Sequence, residues 1–229
     1  MKELIEDTLN RIFDAISYQK NQPHVFNQFP DHNSLNGDST VCYGRLIEYS
    51  QRLTLGIAAE IAIENSGGNI LEIGCAEGWA TCMFAEIAKK YGVKVYCIDP
   101  YNGEQEGTEK LYFEFQKTIA RYPNQIIHLR EPSQSKEAKE FLDGKHISFA
   151  FVDGLHTKQA AIHDIYLALS LMKSKDVICV DDTHNYTNKD AGAAMIEAVD
   201  KGLISKIMID KLVEDAIFSH KSWHFGIKN

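Results

Sequence analysis

The chain has 229 residues, and 24 basic against 32 acidic side chains leave a formal charge of −8. That is the length of one ordinary domain, and 44% hydrophobic residues, 24% charged residues and five prolines exclude collagen-like and wholly disordered chains. The acidic balance argues against nucleic acid as a partner, and no stretch reaches the ~20 apolar residues of a membrane span.

At the N-terminus, MKELIEDTLN carries Glu3, Glu6 and Asp7 where a signal peptide would be basic and then apolar, so the chain is expected to stay in the cytoplasm. Leu4, Ile5, Leu9, Ile12, Phe13 and Ile16 recur at helical steps and form the stripe of an amphipathic helix. Such a stripe packs on the domain or on a second subunit, which is compatible with a homodimer. Asn21 to Thr40 is polar and turn-rich around Phe26 and Phe29, a loop of the length that lids have. A helix is expected from about Tyr43 to Asn65, stopped by Gly67 and Gly68.

Short apolar runs then alternate with helical patterns. The runs are Asn69 to Gly74, Val93 to Ile98, Gln125 to Leu129, Ile147 to Val152 and Val177 to Val180. Between them lie amphipathic segments near 79–91, 108–122, 134–142 and 157–173. A further helix near 190–201 precedes two strand-like pieces, Ser205 to Asp210 and Trp223 to Ile227. Continuous apolar strands separated by helices predict a sheet covered on both faces. The expected fold is therefore α/β: a doubly wound, mostly parallel, seven-stranded sheet over 69–229, with residues 1–50 as a helical and loop cap on a single domain. Ligands in such a sheet bind beyond the carboxyl ends of the strands, near the point where strand order reverses.

The first strand runs into Leu71-Glu72-Ile73-Gly74-Cys75-Ala76-Glu77-Gly78-Trp79 and then a helix. Gly74 permits a tight turn and close approach of a ligand, and Gly78 permits close packing where the helix begins. The spacing is Glu-x-Gly-x-x-x-Gly rather than the Gly-x-Gly-x-x-Gly of a dinucleotide site, which disfavours a nicotinamide dehydrogenase. Asp99 ends the second strand, where a carboxylate can accept hydrogen bonds from a ribose diol.

Five cysteines, Cys42, Cys75, Cys82, Cys97 and Cys179, form no CxxC pair, so neither a disulfide framework nor a zinc knuckle is expected.

Loop, spacing and acid together resemble the class I S-adenosylmethionine-dependent methyltransferases. The resemblance implies that the Gly74 to Gly78 loop, with Ala76 inside it and Trp79 adjoining it, cradles the amino-acid end of S-adenosylmethionine. It places Glu72 nearby, gives Asp99 the ribose, and puts Ser133, just after the third strand, near the adenine.

Strand four ends in Asp153-Gly154-Leu155-His156 and strand five in Asp181-Asp182-Thr183-His184. If the two strands are neighbours, Asp153, Asp181 and Asp182 converge at one edge of the crevice, and clustered carboxylates call for a positive charge between them. An oxygen-only set suits a hard cation, Mg²⁺ first. Adjacent residues of a regular strand point to opposite faces, so Asp181 and Asp182 can both be ligands only if the strand has already ended. His156 can serve as a general base, as a cap for the next helix or as a metal ligand, with His184 in reserve as base. This pair of strand ends resembles a narrower branch, small metal-dependent O-methyltransferases that include enzymes acting on sugars of macrolide antibiotics. It implies a magnesium site of Asp153, Asp181 and Asp182, His156 as base and a small, sugar-containing acceptor. A metal-independent methyltransferase and a non-catalytic binding subunit stand as alternatives.

Overall fold

The computed structural model describes residues 49–102, 108–183, 189–207 and 224–229. The N-terminal amphipathic stripe, Phe26 and Phe29, and His184 lie outside the described residues. The elements are α1 (Tyr49–Ser66), β1 (Asn69–Ile73), α2 (Trp79–Tyr91), β2 (Val95–Ile98), α3 (Thr108–Ile119), β3 (Ile126–Leu129) and α4 (Lys136–Leu142). They continue with β4 (Ile147–Val152), α5 (Lys158–Leu171), β5 (Val177–Val180), α6 (Lys189–Asp200), β6 (Ile204–Ile207) and β7 (His224–Lys228). Every strand and helix expected from Asn69 onward is present, most within two or three residues of its sequence bounds.

The seven strands lie in the order β3-β2-β1-β4-β5-β7-β6. The first five pair in parallel, and β7 runs antiparallel between β5 and β6. Strand order reverses between β1 and β4, so the crevice beyond their carboxyl ends is the place for a ligand.

β2, β4 and β5 are buried along their whole length, which explains why their sequences are continuous apolar runs. Alternate residues of each strand serve opposite faces. Phe149 and Phe151 point into a core shared with Leu55, Ala58 and Ala62 of α1 and Phe84 of α2. Ala150 and Val152 point the other way, onto Leu142 of α4, Ile165 and Ala168 of α5, and Met195 of α6. Small residues on the second face let three helices lie close to the sheet, while aromatic rings fill the first.

Helix ends are set locally. Gly92 takes a left-handed φ of 71° beyond α2 and returns its N–H to the helix. Ser135 caps α4 and Thr157 caps α5, each accepting the N–H three residues on. Thr157 therefore does the capping that His156 could have done, and the imidazole is left for other work.

Phe84 is fully buried, with its ring centroid 5.6 Å from that of Phe149 and 6.1 Å from that of Phe151. Phe84→Ala leaves a cavity at this junction and is expected to cost about 3–5 kcal/mol. Urea unfolding followed by circular dichroism should show a lower midpoint with an unchanged slope.

Candidate active site at the carboxyl edge of the sheet

Each strand's ladder runs one bond past its end. Asp99 N–H reaches Leu129 O at 3.3 Å, Gly74 N–H reaches Ile98 O at 2.9 Å, Asp153 N–H reaches Ile73 O at 2.8 Å and Asp181 N–H reaches Val152 O at 2.9 Å. These bonds set Asp99, Gly74, Asp153 and Asp181 side by side along one edge. Residues from four different strand ends thus share one edge of the sheet, and of these Gly74, Asp99 and Asp153 line one cleft.

Gly74 has φ +85°, and a Cβ built on it would lie 2.0 Å from the carbonyl oxygen of Asp153. No side chain fits there, so the β1 loop and the β4 end touch through bare backbone. Gly78 caps α2 at φ +87°, where a Cβ would meet the Thr118 methyl at 2.7 Å. The loop between them turns through Ala76 at φ 45°. Asp99 holds that turn: its Oδ2 accepts the N–H of Cys75 at 2.8 Å and of Ala76 at 3.1 Å, and its Oδ1 accepts the N–H of Tyr101 at 3.0 Å. The Tyr101 hydroxyl donates back to Ala76 O at 2.6 Å. Tyr101 is buried among Tyr112, Phe115 and His128, so it belongs to the foundation of the loop and not to a lid.

Glu72, Gly74, Cys75, Ala76, Trp79, Asp99 and Asp153 line one cleft together with Ala80 and Phe151, with a volume of about 100 Å³. Such a space admits one end of a nucleoside-sized ligand. Trp79 is fixed there by an indole N–H to Glu77 Oε2 bond of 3.0 Å. Glu72 is almost completely buried, and its Oε2 accepts the Thr81 hydroxyl at 2.6 Å. Loss of solvation pushes its carboxyl up to about 8, against the lowering influence of the Thr81 hydrogen bond. The pH range just above neutrality is therefore where this group takes on charge.

β5 stops at Val180, and Asp182 adopts a left-handed φ of 53°. The strand has ended before the two aspartates, so the alternation rule does not separate them. His156 Nε2 lies 3.7 Å from Asp153 Oδ1 and 3.4 Å from Asp182 Oδ2, tying the β4 and β5 ends together. Asp181 and Asp182 are buried, whereas Asp153 and His156 are partly open. The carboxylate set is chemically suited to a hard divalent cation, with oxygen donors from two adjacent strand ends. Its three ligand oxygens do not close to within 4.8 Å of one another; among the described residues only Glu72, Cys75 and Cys97 form such a trio.

Ser133, expected near the adenine, has its side chain committed within the protein. It is buried, and its hydroxyl donates to Asp164 Oδ1 at 2.5 Å. Asp164 also packs under Gly154, where a Cβ would come 3.1 Å from its Oδ2. Ser133 thereby holds the loop after β3 to the helix that follows β4. Sequence reasoning missed Tyr101, Thr81 and Phe151 as builders of the site. Only Thr81 left a signal, as a polar residue in an otherwise apolar first turn of α2.

The family model for a methyltransferase domain matches residues 71–183. No curated protein matches the chain by sequence. Among solved structures, the fold is similar to CalS11, a TDP-rhamnose 3'-O-methyltransferase of calicheamicin biosynthesis, with TM-score 0.58 at 11% identity over 97% of this chain and 93% of that one. It is also similar to an O-methyltransferase from Bacillus cereus in complex with S-adenosylhomocysteine, with TM-score 0.54 at 17% identity over 97% and 91% of the two chains. A third likeness is to the O-methyltransferase NovP, with TM-score 0.55 at 13% identity over 75% and 76%.

Two outcomes test the geometry. Gly74→Ala should abolish binding of S-adenosylhomocysteine in calorimetry and lower the melting temperature, because the new methyl cannot coexist with Asp153 O. An unfolded Glu72 releases its proton near 4.5 and the folded one near 8, so the folded state binds more protons between those values and stability falls as pH rises through that window. Glu72→Gln should remove this loss, gaining on the wild type by an order of a few kcal/mol at pH 8 in pH-dependent denaturant unfolding, while matching it near pH 4.5.

Proposed function

We propose that the chain is a class I S-adenosylmethionine-dependent methyltransferase, a reading supported by the match of the methyltransferase-domain model to residues 71–183, and that it methylates a hydroxyl of a small, sugar-containing metabolite with the help of Mg²⁺. The observation that carries the reading is His156, whose Nε2 stands 3.7 Å from Asp153, itself part of the cleft lining, and 3.4 Å from Asp182. A base and a carboxylate set beside a sulfonium-binding loop are what methylation of a poor nucleophile requires. The sugar as acceptor draws its support from the likeness to CalS11.

In the reaction the methyl carbon leaves the sulfonium sulfur and bonds to the acceptor oxygen, while the hydroxyl proton passes to His156. The products are S-adenosylhomocysteine and the methyl ether. Most of the rate comes from alignment of donor carbon and acceptor oxygen in a water-poor crevice. The Gly74–Gly78 loop and Trp79 seat the amino-acid end of the cofactor. Asp99 already accepts three backbone N–H groups, and a carboxylate offers about four acceptor positions, so it retains room for one ribose hydroxyl. Ser133 contributes through the loop that it fixes, at the edge where the adenine would lie. Asp153, Asp181 and Asp182 would hold the magnesium ion, which when bound supplies Lewis acidity to neighbouring acceptor oxygens.

One observation favours a second reading, a methyltransferase that needs no metal. His156 already bridges two carboxylates, and an imidazole so placed can take a proton unaided. Methyl transfer to a panel of nucleotide-linked sugars and aromatic diols, with and without chelator, separates the readings. The magnesium reading expects chelator to lower the rate at least about tenfold, with Mg²⁺ restoring it, and Asp182→Ala to lose that dependence. His156→Ala should reduce kcat about 10²–10⁴-fold in either case and leave the affinity for S-adenosylhomocysteine unchanged. A rate indifferent to chelator and to Asp182→Ala would refute the metal.

A further inference from the structure

We propose that Cys75, Cys97 and Glu72 form a binding site for a thiophilic divalent cation of the zinc and cadmium kind, at the floor of the cleft and separate from the aspartate set. All three side chains are buried, and their ligand atoms lie within 4.8 Å of one another. Parallel pairing sets Glu72 directly beside Cys97. The turn after β1, held by Asp99, carries Cys75 back over them. Cys97 Sγ stands 3.6 Å from Glu72 Oε2. A tetrahedral zinc ion with bonds of about 2.3 Å to sulfur and about 2.0 Å to oxygen places those two atoms about 3.5 Å apart. The observed edge is thus the edge of a zinc polyhedron, reached without moving a strand.

Donor type decides which ion such a site takes. Two sulfurs and one carboxylate select zinc or cadmium over magnesium, whereas the oxygen set of Asp153, Asp181 and Asp182 selects the reverse. Glu72 and Cys75 line the cleft, so an ion arrives by the route the cleft provides. Burial pushes the Cys97 thiol up to about 11 and raises that of Cys75 well above its ordinary range. Uptake therefore releases the thiol protons to solvent as the metal–sulfur bonds form. The metal site rests on the side chains alone and stands independently of the methyltransferase reading.

The test is a titration of the full-length protein with Cd²⁺, without cofactor, following the thiolate-to-cadmium charge-transfer band in the ultraviolet. The wild type and Cys42→Ser should gain the band and saturate at one equivalent, and excess Mg²⁺ should leave it in place. Cys75→Ser and Cys97→Ser should weaken uptake on the order of tenfold or more. Cys97 lies in the core, so X-ray absorption of the zinc-loaded wild type provides a reading that needs no variant, with two sulfur neighbours expected. Absence of the band in the wild type, a band undiminished in Cys75→Ser, or a zinc shell with fewer than two sulfurs would overturn the proposal.

Discussion

One steric fact organises the carboxyl edge of this sheet: there is no room for a side chain at residue 74. The carbonyl of Asp153 occupies the space that a Cβ would take, at 2.0 Å. Because of that contact, the loop that follows β1 and the residues that follow β4 are one unit. Asp153 belongs to both surroundings: it lines the cleft with Glu72, Gly74 and Asp99, and its Oδ1 faces His156 at 3.7 Å. Methyl transfer needs donor and acceptor held in line, and a shared backbone contact is a stiffer link than any pair of side chains could supply. The surrounding turns carry the conformational cost. Ala76, Tyr101 and Asp182 all sit at positive φ, just past β1, β2 and β5. Strain of this kind persists where neighbouring structure over-determines it. Here that is done by the three N–H groups converging on Asp99 and by the aromatic cluster under Tyr101.

The sequence made the architecture legible because a parallel sheet covered on both faces needs strands that are apolar throughout, separated by helices with a single apolar stripe. Site residues were legible where chemistry is tied to a strand end. Gly74, Asp99, Asp153 and the two aspartates after Val180 each close an apolar run, and the topology brings such ends together. What stayed hidden depends on the third dimension. Ser133 is marked in the sequence only by its place after the third strand, and nothing there signals that its hydroxyl is committed to Asp164, thirty-one positions away. Nothing in the sequence marks Tyr101 as a support of the loop, a role it fills through its hydroxyl bond to Ala76 O. Among the roles open to His156 in the sequence was the cap of the next helix; Thr157 takes that role instead, through a hydroxyl placed to accept Ala160 N–H.

The cysteines make the same point more sharply. Scattered along the chain without a CxxC spacing, they suggest no shared chemistry in one dimension. Parallel register between β1 and β2 converts a separation of twenty-five residues into direct adjacency of Glu72 and Cys97. The tight turn required by Gly74 then brings Cys75 to the same point, so the glycine that joins the two halves of the cleft also completes the sulfur cluster.

Two donor sets therefore flank one loop, and they differ in hardness rather than in position alone. At the β4 and β5 ends stand three carboxylates, Asp153 partly open and Asp181 and Asp182 buried, all hard oxygen donors. At the floor of the cleft stand two buried thiols and a buried carboxyl pushed up to about 8. The same burial that raises the Glu72 carboxyl to about 8 protects the cleft from an uncompensated negative charge while it is empty. When a cation arrives, that penalty turns into an attraction, because the proton can leave and the carboxylate is already in place. The floor of the cleft is thus arranged to respond to positive charge through one carboxyl, Glu72, which lines the cleft and adjoins the Cys97 thiol.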